Sequence, residues 1–261
     1  MKQIKIEKVF FTYNEKKIGG FLYTPTGKGP FPTVILVHGF GGGTHEEKNK
    51  FMCTELAKNG ILAFMFDFYD TPHGLSEIPI EETTVSLQLK VLHHAVDFVC
   101  TVLVVDKNKI GLTGHSLGGM TVILYTPNDS RIKALVVQSA LSDFGKSRST
   151  TFDNHEEWKE KGYKIFDKSF GPMRINYSFI ADGLQHDVYS AMNRIKIPIL
   201  IFHGDKEESV SIEQARKQAQ HLKKTDKLVI IPGADHSYKV NNTLPIATKL
   251  LVDFMKEKLN S

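Results

Sequence analysis

The pentapeptide Gly114-His115-Ser116-Leu117-Gly118 constrains the fold of this chain more than any other stretch. The apolar run at 109–113 reads as a β-strand, and residues 119–125 read as a helix. A strand that passes into a helix through one serine-centred turn must bend sharply, which strains the backbone at the serine. Small residues on either side let the turn close, and the Ser116 hydroxyl is left exposed above the helix N-terminus. An ordinary glycine-rich turn has the same letters, so the pattern draws its meaning from what stands elsewhere in the chain.

Three other stretches deliver reactive groups in the same manner. The buried-type strand at 34–37 runs into His38-Gly39-Phe40-Gly41-Gly42-Gly43, where glycines let a backbone approach a ligand without an intervening side chain. The strand at 199–202 runs into His203-Gly204-Asp205-Lys206-Glu207-Glu208, and that at 228–231 into Pro232-Gly233-Ala234-Asp235-His236. A serine, an acid and a histidine therefore follow one another in chain order. Each lies just past the carboxyl end of a strand, where open α/β sheets place their sites.

The rest of the chain agrees with such a sheet. Residues 4–13 and 17–24 form a hairpin pattern around Asn14-Glu15; further strands are expected at 33–38, 61–67, 110–113 and 134–138. Helices are expected at 46–59, closed by Gly60, and at 80–101, 211–223 and 244–258. This alternation predicts an α/β fold with a mostly parallel central sheet and helices on both faces. The stretch between Ser139 and Asn193 is much longer than one loop and one helix require. It carries Trp158, Tyr163, Phe166, Phe170, Tyr177 and Phe179, enough apolar mass to pack as a small cap. The expected division is core at 1–140, inserted cap at 141–190 and core again at 191–261.

The stretches HGFGG, FDF followed by HGLSE, GHSLGG, IPILIFHGDKEESV and IPGADHSY resemble those of α/β-hydrolase esterases over nearly the whole chain. The nearest resemblance is to the intracellular cinnamoyl/feruloyl-esterase-like enzymes. It implies an α/β-hydrolase fold with a small inserted cap, Ser116 as nucleophile on the elbow and His236 as its base. It also implies an oxyanion hole made by the backbone N–H groups of Phe40 and Leu117. In the family the acid is usually an aspartate, third after the loop glycine. Here that position is Glu207, whose extra methylene requires a slightly different backbone position. Asp205 is the alternative, although an aspartate there often shapes the turn through its own backbone bonds; Asp143 is a more distant one, and Glu208 is expected to face solvent. The cap of such esterases supplies part of the acyl pocket, for which Asp143, Trp158, Tyr163 and Tyr177 are the candidates; a polar one among them could pair with a substrate phenol.

The activity implied is hydrolysis of small carboxylic esters through an acyl-enzyme, with hydroxycinnamoyl esters as one substrate class. A prolyl-oligopeptidase-like peptidase or amidase shares the triad but commonly carries a large extra N-terminal domain, for which this chain has no room. A hydrolase-fold receptor for a small molecule is the alternative outside enzymes. No Cys/His cluster or H-E-x-x-H points to a metal, and no G-x-G-x-x-G opening a helix points to a nucleotide cofactor, so neither is expected. The net charge of +4 is small for 261 residues and shows no basic stripe, which argues against nucleic acid as a partner. The N-terminus alternates apolar and charged residues, and no run is long enough to span a membrane, so a cytoplasmic location is the default. Cys53 and Cys100 read as buried free thiols. His38 is expected to brace the glycine loop, and His115 to point away from the chemistry.

Overall fold

The computed structural model describes residues 3–144, 152, 155–168 and 170–260. Strands β1 (Ile4–Tyr13) and β2 (Lys16–Pro25) form the expected hairpin, with Tyr13 opposite Lys16. Its two turn residues, Asn14 and Glu15, both have positive φ, 45° and 65°. Such a turn matches the right-handed twist of its strands.

The chain then runs through β3 (Phe31–Val37), α1 (Glu47–Lys58), β4 (Leu62–Phe66), α2 (Val85–Thr101), β5 (Val105–His115), α3 (Leu117–Tyr125) and β6 (Ile132–Gln138). It returns to the sheet with β9 (Ile199–Gly204), α7 (Ile212–Ala219), β10 (Lys227–Ile231) and α8 (Thr243–Asn260). The eight strands lie in the order β1-β2-β4-β3-β5-β6-β9-β10. Pairing is antiparallel at β1/β2 and β2/β4 and parallel from β4 to β10. This is the α/β-hydrolase fold with its mostly parallel sheet.

Alternate residues of a strand face opposite sides, and here both sides are covered. On β3, Ile35 and Val37 enter one core with α2 and α3, while Val34 and Leu36 enter a second with α1 and α8. Every residue of α3 is buried, so the helix that follows Ser116 is apolar all round and sits rigidly inside the molecule. Helix α2 begins at Val85 rather than 80 because the Thr84 hydroxyl accepts the Leu87 N–H at 3.0 Å and caps it there; residues 80–82 make only a 3₁₀ turn.

Between β6 and β9 the described residues form α4 (His155–Lys161), β7 (Tyr163–Lys168), β8 (Gly171–Asn176), α5 (Ser178–Gly183) and α6 (Val188–Arg194). Strands β7 and β8 pair only with each other, as an antiparallel hairpin. The part of the expected cap at 145–151, 153–154 and 169 lies outside the described residues. Cys53 is buried, whereas Cys100 is only half-buried; both are free. No helix among the described residues is long and apolar enough to cross a membrane.

The turn of the β1–β2 hairpin can be tested directly. Glu15 holds a left-handed conformation that glycine adopts without a Cβ penalty. Glu15→Gly is expected to raise unfolding stability by about 0.5–1 kcal/mol, read from the urea midpoint. A lowered midpoint would contradict this.

Candidate active site

The elbow is built by close backbone approach. Ser116 has φ 56° and ψ −119°, a conformation that non-glycine residues avoid. Three backbone bonds hold it there: its N–H donates to the Gln138 carbonyl at 2.9 Å, and its carbonyl accepts from Met120 N–H at 3.2 Å and Leu141 N–H at 3.1 Å. A Cβ on Gly118 would press against the carbonyl oxygens of both Val37 and His38, so only glycine lets α3 start this close to β3. Leu117 is the first residue of α3, and its N–H has no intrahelical acceptor.

The glycine loop after β3 is braced from beneath. Phe68 N–H donates to His38 Nε2 at 3.1 Å, which leaves the proton on Nδ1 to donate to the Gly39 carbonyl at 2.8 Å. Burial keeps His38 neutral by pushing its pKa down, against the opposing pull of Asp67. Tyr69 spans the loop: its hydroxyl accepts from Gly41 N–H at 2.7 Å and donates to the Gly39 carbonyl at 3.3 Å. The Phe40 ring packs at 5.0–5.4 Å from Phe152, Phe166 and Phe179 of the inserted segment. Among the described residues no group accepts from the N–H of Phe40 or Leu117.

The histidine meets Glu207. His236 Nδ1–H donates to Glu207 Oε2 at 2.6 Å, which leaves Nε2 as the basic nitrogen. The other carboxylate oxygen, Oε1, accepts from Ser209 N–H at 2.7 Å and Val210 N–H at 2.9 Å. The Glu207 side chain is 1% exposed and that of His236 24%. Burial raises the Glu207 pKa, but the hydrogen bond and charge of His236, with the two N–H groups, outweigh it and hold the carboxyl below its ordinary range. Asp205 instead accepts from Gly233 N–H at 2.6 Å, tying the β9 loop to the β10 loop. Glu208 is exposed.

His115 departs from expectation. Its ring lies 4.5 Å from that of His236, and its Nε2–H donates to the His236 carbonyl at 2.7 Å. It does not point away; it fixes the loop that carries His236. Burial, reinforced by Lys48 and by His236, keeps its pKa well below the usual histidine value, so it acts as a neutral brace. His203 does the same for the acid loop, with Nε2–H donating to the Val210 carbonyl at 3.0 Å. Neither brace has a sequence signature, because both act on backbone carbonyls, which any residue type supplies.

Ser116 and His236 line one small pocket of about 120 Å³ together with Phe40, Leu141, Phe152, Lys168, Ser209 and Val210. Asp143, Trp158, Tyr163 and Tyr177, the expected acyl-pocket set, are not among these residues. Trp158 is buried in the inserted segment's own core, with Nε1–H donating to the Ile175 carbonyl at 3.2 Å. Tyr163 lies under the Arg174 guanidinium at 4.2 Å and borders a separate cleft with Trp158 and Lys161. The residues in their place are Phe152 and Lys168, which hydrophobic patterning does not single out.

This fold and this site define an α/β-hydrolase. The chain belongs to the prolyl oligopeptidase family, whose model matches residues 88–261 and so takes in Ser116, Glu207 and His236. The model of the FrsA-like esterases matches residues 1–147. Among curated proteins, the quorum-quenching protein AidA of Acinetobacter baumannii is 26% identical over 161 residues, 61% of this chain and 52% of that protein. The peroxisomal succinyl-coenzyme A thioesterase of Mus musculus is 25% identical over 238 residues, 85% of this chain and 52% of that protein. The chain thus spans about half the length of these two relatives. Among solved structures, Est1E from Butyrivibrio proteoclasticus with bound ferulic acid shares the fold at a TM-score of 0.81 and 24% identity, covering 97% of this chain and 100% of that one.

Two outcomes follow from this geometry. Gly118→Ala is expected to destabilise the protein by roughly 1–3 kcal/mol, because a backbone contact has nowhere to yield; an unchanged urea midpoint would contradict it. The Glu207 carboxyl, lowered in the folded state, stabilises the fold above the ordinary glutamate pKa, and that contribution disappears as pH falls through the native value. The stability gap between wild type and Glu207→Gln should therefore shrink between about pH 6 and about pH 3. A gap independent of pH would show that the ionised carboxylate contributes nothing.

Proposed function

We propose that this protein is a serine hydrolase of small carboxylic esters, working through an acyl-enzyme on Ser116. The observation that carries the reading is the short Glu207–His236 hydrogen bond beside a pocket that also holds Ser116. His236 Nε2 takes the proton from the serine hydroxyl as Oγ attacks the ester carbonyl. Glu207 fixes the imidazole tautomer and stabilises the imidazolium that forms. The tetrahedral oxygen is met by the free N–H groups of Phe40 and Leu117, a donor pair whose loss costs roughly 3–4 kcal/mol per member. His236 then protonates the leaving alcohol, and water, activated in its turn by His236, releases the acid. The inserted segment acts as a cap, closing the pocket through Phe152 and Lys168.

Hydroxycinnamoyl esters are one substrate class within this reading. The fold shared with Est1E, which binds ferulic acid, supports it, as do the rings of Phe40 and Phe152 at the pocket. No phenol partner of the expected kind lines the pocket among the described residues, so an aryl acyl group would rest on apolar contact. The family match favours a second reading, amide or peptide hydrolysis by the same residues.

A panel of p-nitrophenyl acetate and butyrate, methyl ferulate and an aminoacyl p-nitroanilide separates these. Ser116→Ala should remove at least about 10³-fold of kcat on every substrate turned over. Glu207→Gln should cost roughly 10²–10⁴-fold, and Asp205→Asn far less. Equal turnover by Ser116→Ala would sink the reading. A larger loss from Asp205→Asn would reassign the acid, and a preference for the anilide would favour the peptidase.

A further inference from the structure

The pocket beside Ser116 contains one cation that the chemistry above does not use. Lys168 is the last residue of β7, and the hairpin carries it over the glycine loop. Its Nζ lies 5.2 Å from the centroid of the Phe40 ring. Its stem passes so close to Gly41 that a Cβ there would stand 3.0 Å from Lys168 Cε and 3.5 Å from Nζ. Gly41 also has φ +71°, so the position favours glycine both for its backbone and for the lysine above it.

Lys168 is half-buried, and among the described residues its ammonium has no ion pair or hydrogen bond. The carboxylates of this region are held by other groups: Glu46 Oε2 accepts from Gly43 N–H at 3.2 Å and from Asn49 Nδ2–H at 2.8 Å, and Glu207 is held by His236, Ser209 and Val210. Burial lowers the Lys168 pKa, and the charge of Glu46 only partly opposes it. Phe40 offers the ammonium a ring face, a weak partner compared with a carboxylate.

The remaining lining, Phe40, Leu141, Phe152, Val210 and Ser209, is apolar apart from Ser209. An apolar pocket with a single cation at its wall suits a short chain that ends in a negative charge. The leaving oxygen must face His236 to be protonated, so the acyl chain extends toward Phe40 and the hairpin.

We propose that Lys168 is a specificity-determining residue that binds a carboxylate at the far end of the acyl group, so that the preferred substrates are monoesters of short dicarboxylic acids. This inference rests on the proposed serine-hydrolase reading. For a monoalkyl succinate, the reaction with water yields the dicarboxylate, the alcohol and one proton; the Ser116 ester is the only covalent intermediate.

The test compares monoethyl succinate with ethyl butyrate, which has the same acyl length without the charge, by proton release at constant pH. Wild type should favour the succinate. Lys168→Met should lower kcat/KM for the succinate roughly 10- to 100-fold, mainly through KM, the worth of one charge-assisted hydrogen bond. The fall on ethyl butyrate should be much the smaller of the two, and Lys168→Arg should keep most of the preference. Protection of Ser116 from a fluorophosphonate label gives a readout independent of turnover: the succinate should protect wild type better than the butyrate, and Lys168→Met should lose the difference. An equal fall on both esters would overturn the proposal in favour of a general role for the lysine, and no change on either ester would overturn it outright. Absence of label on Ser116 would instead bring down the serine-hydrolase reading, and this inference with it.

Discussion

The structure turns on the strained backbone at Ser116. A non-glycine residue at φ 56° costs on the order of 1–3 kcal/mol and persists only where its surroundings leave no alternative. Here the surroundings are two elements with no freedom to shift. β5 is an interior strand, paired on both edges, and α3 is buried along its whole length. The bare Gly118 lets the helix start against the end of β3. The same contact that seats the elbow therefore also sets the distance between the serine and the glycine loop.

The other site loops hang on this frame through polar groups that bind backbone. His38 and Tyr69 hold the glycine loop, His203 holds the acid loop at Val210, and His115 holds the His236 carbonyl. Three of these four are histidines, and burial keeps all three neutral, so each can donate a single N–H without bringing a charge into the site. Among the described residues, the one acid bound to His236 is Glu207. The longer side chain of glutamate at this position reaches His236 while its other oxygen closes the turn on Ser209 and Val210.

The parts of the molecule legible in the sequence are those governed by short-range rules. Strand and helix periodicity, the left-handed turn at Asn14-Glu15 and the order of Ser116, Glu207 and His236 along the chain all depend on near neighbours. Asp205 differs: an aspartate there is expected to shape its own turn, whereas this one binds Gly233, 28 residues away on the next loop. The start of α2 was less legible, since Thr84 stops a pattern that periodicity alone extends to residue 80. The pocket lining was not legible. Trp158 and Tyr163 carry the bulk that suggests a substrate wall, yet packing within the inserted segment consumes it, and a charged residue at a hairpin end reaches the pocket instead. His115 misled for a similar reason: its partner is a carbonyl 121 residues away, and spacing carries no trace of it.

The central claim is that Ser116 carries the acyl group during turnover. The most direct measurement is acid quenching during hydrolysis of p-nitrophenyl acetate, followed by mass spectrometry of the intact protein and its peptides. The account predicts one acetyl group per chain, on the peptide containing Ser116, with the highest occupancy where deacylation is slowest. Continued hydrolysis with the acetyl group on another residue, or with none at all, would contradict it.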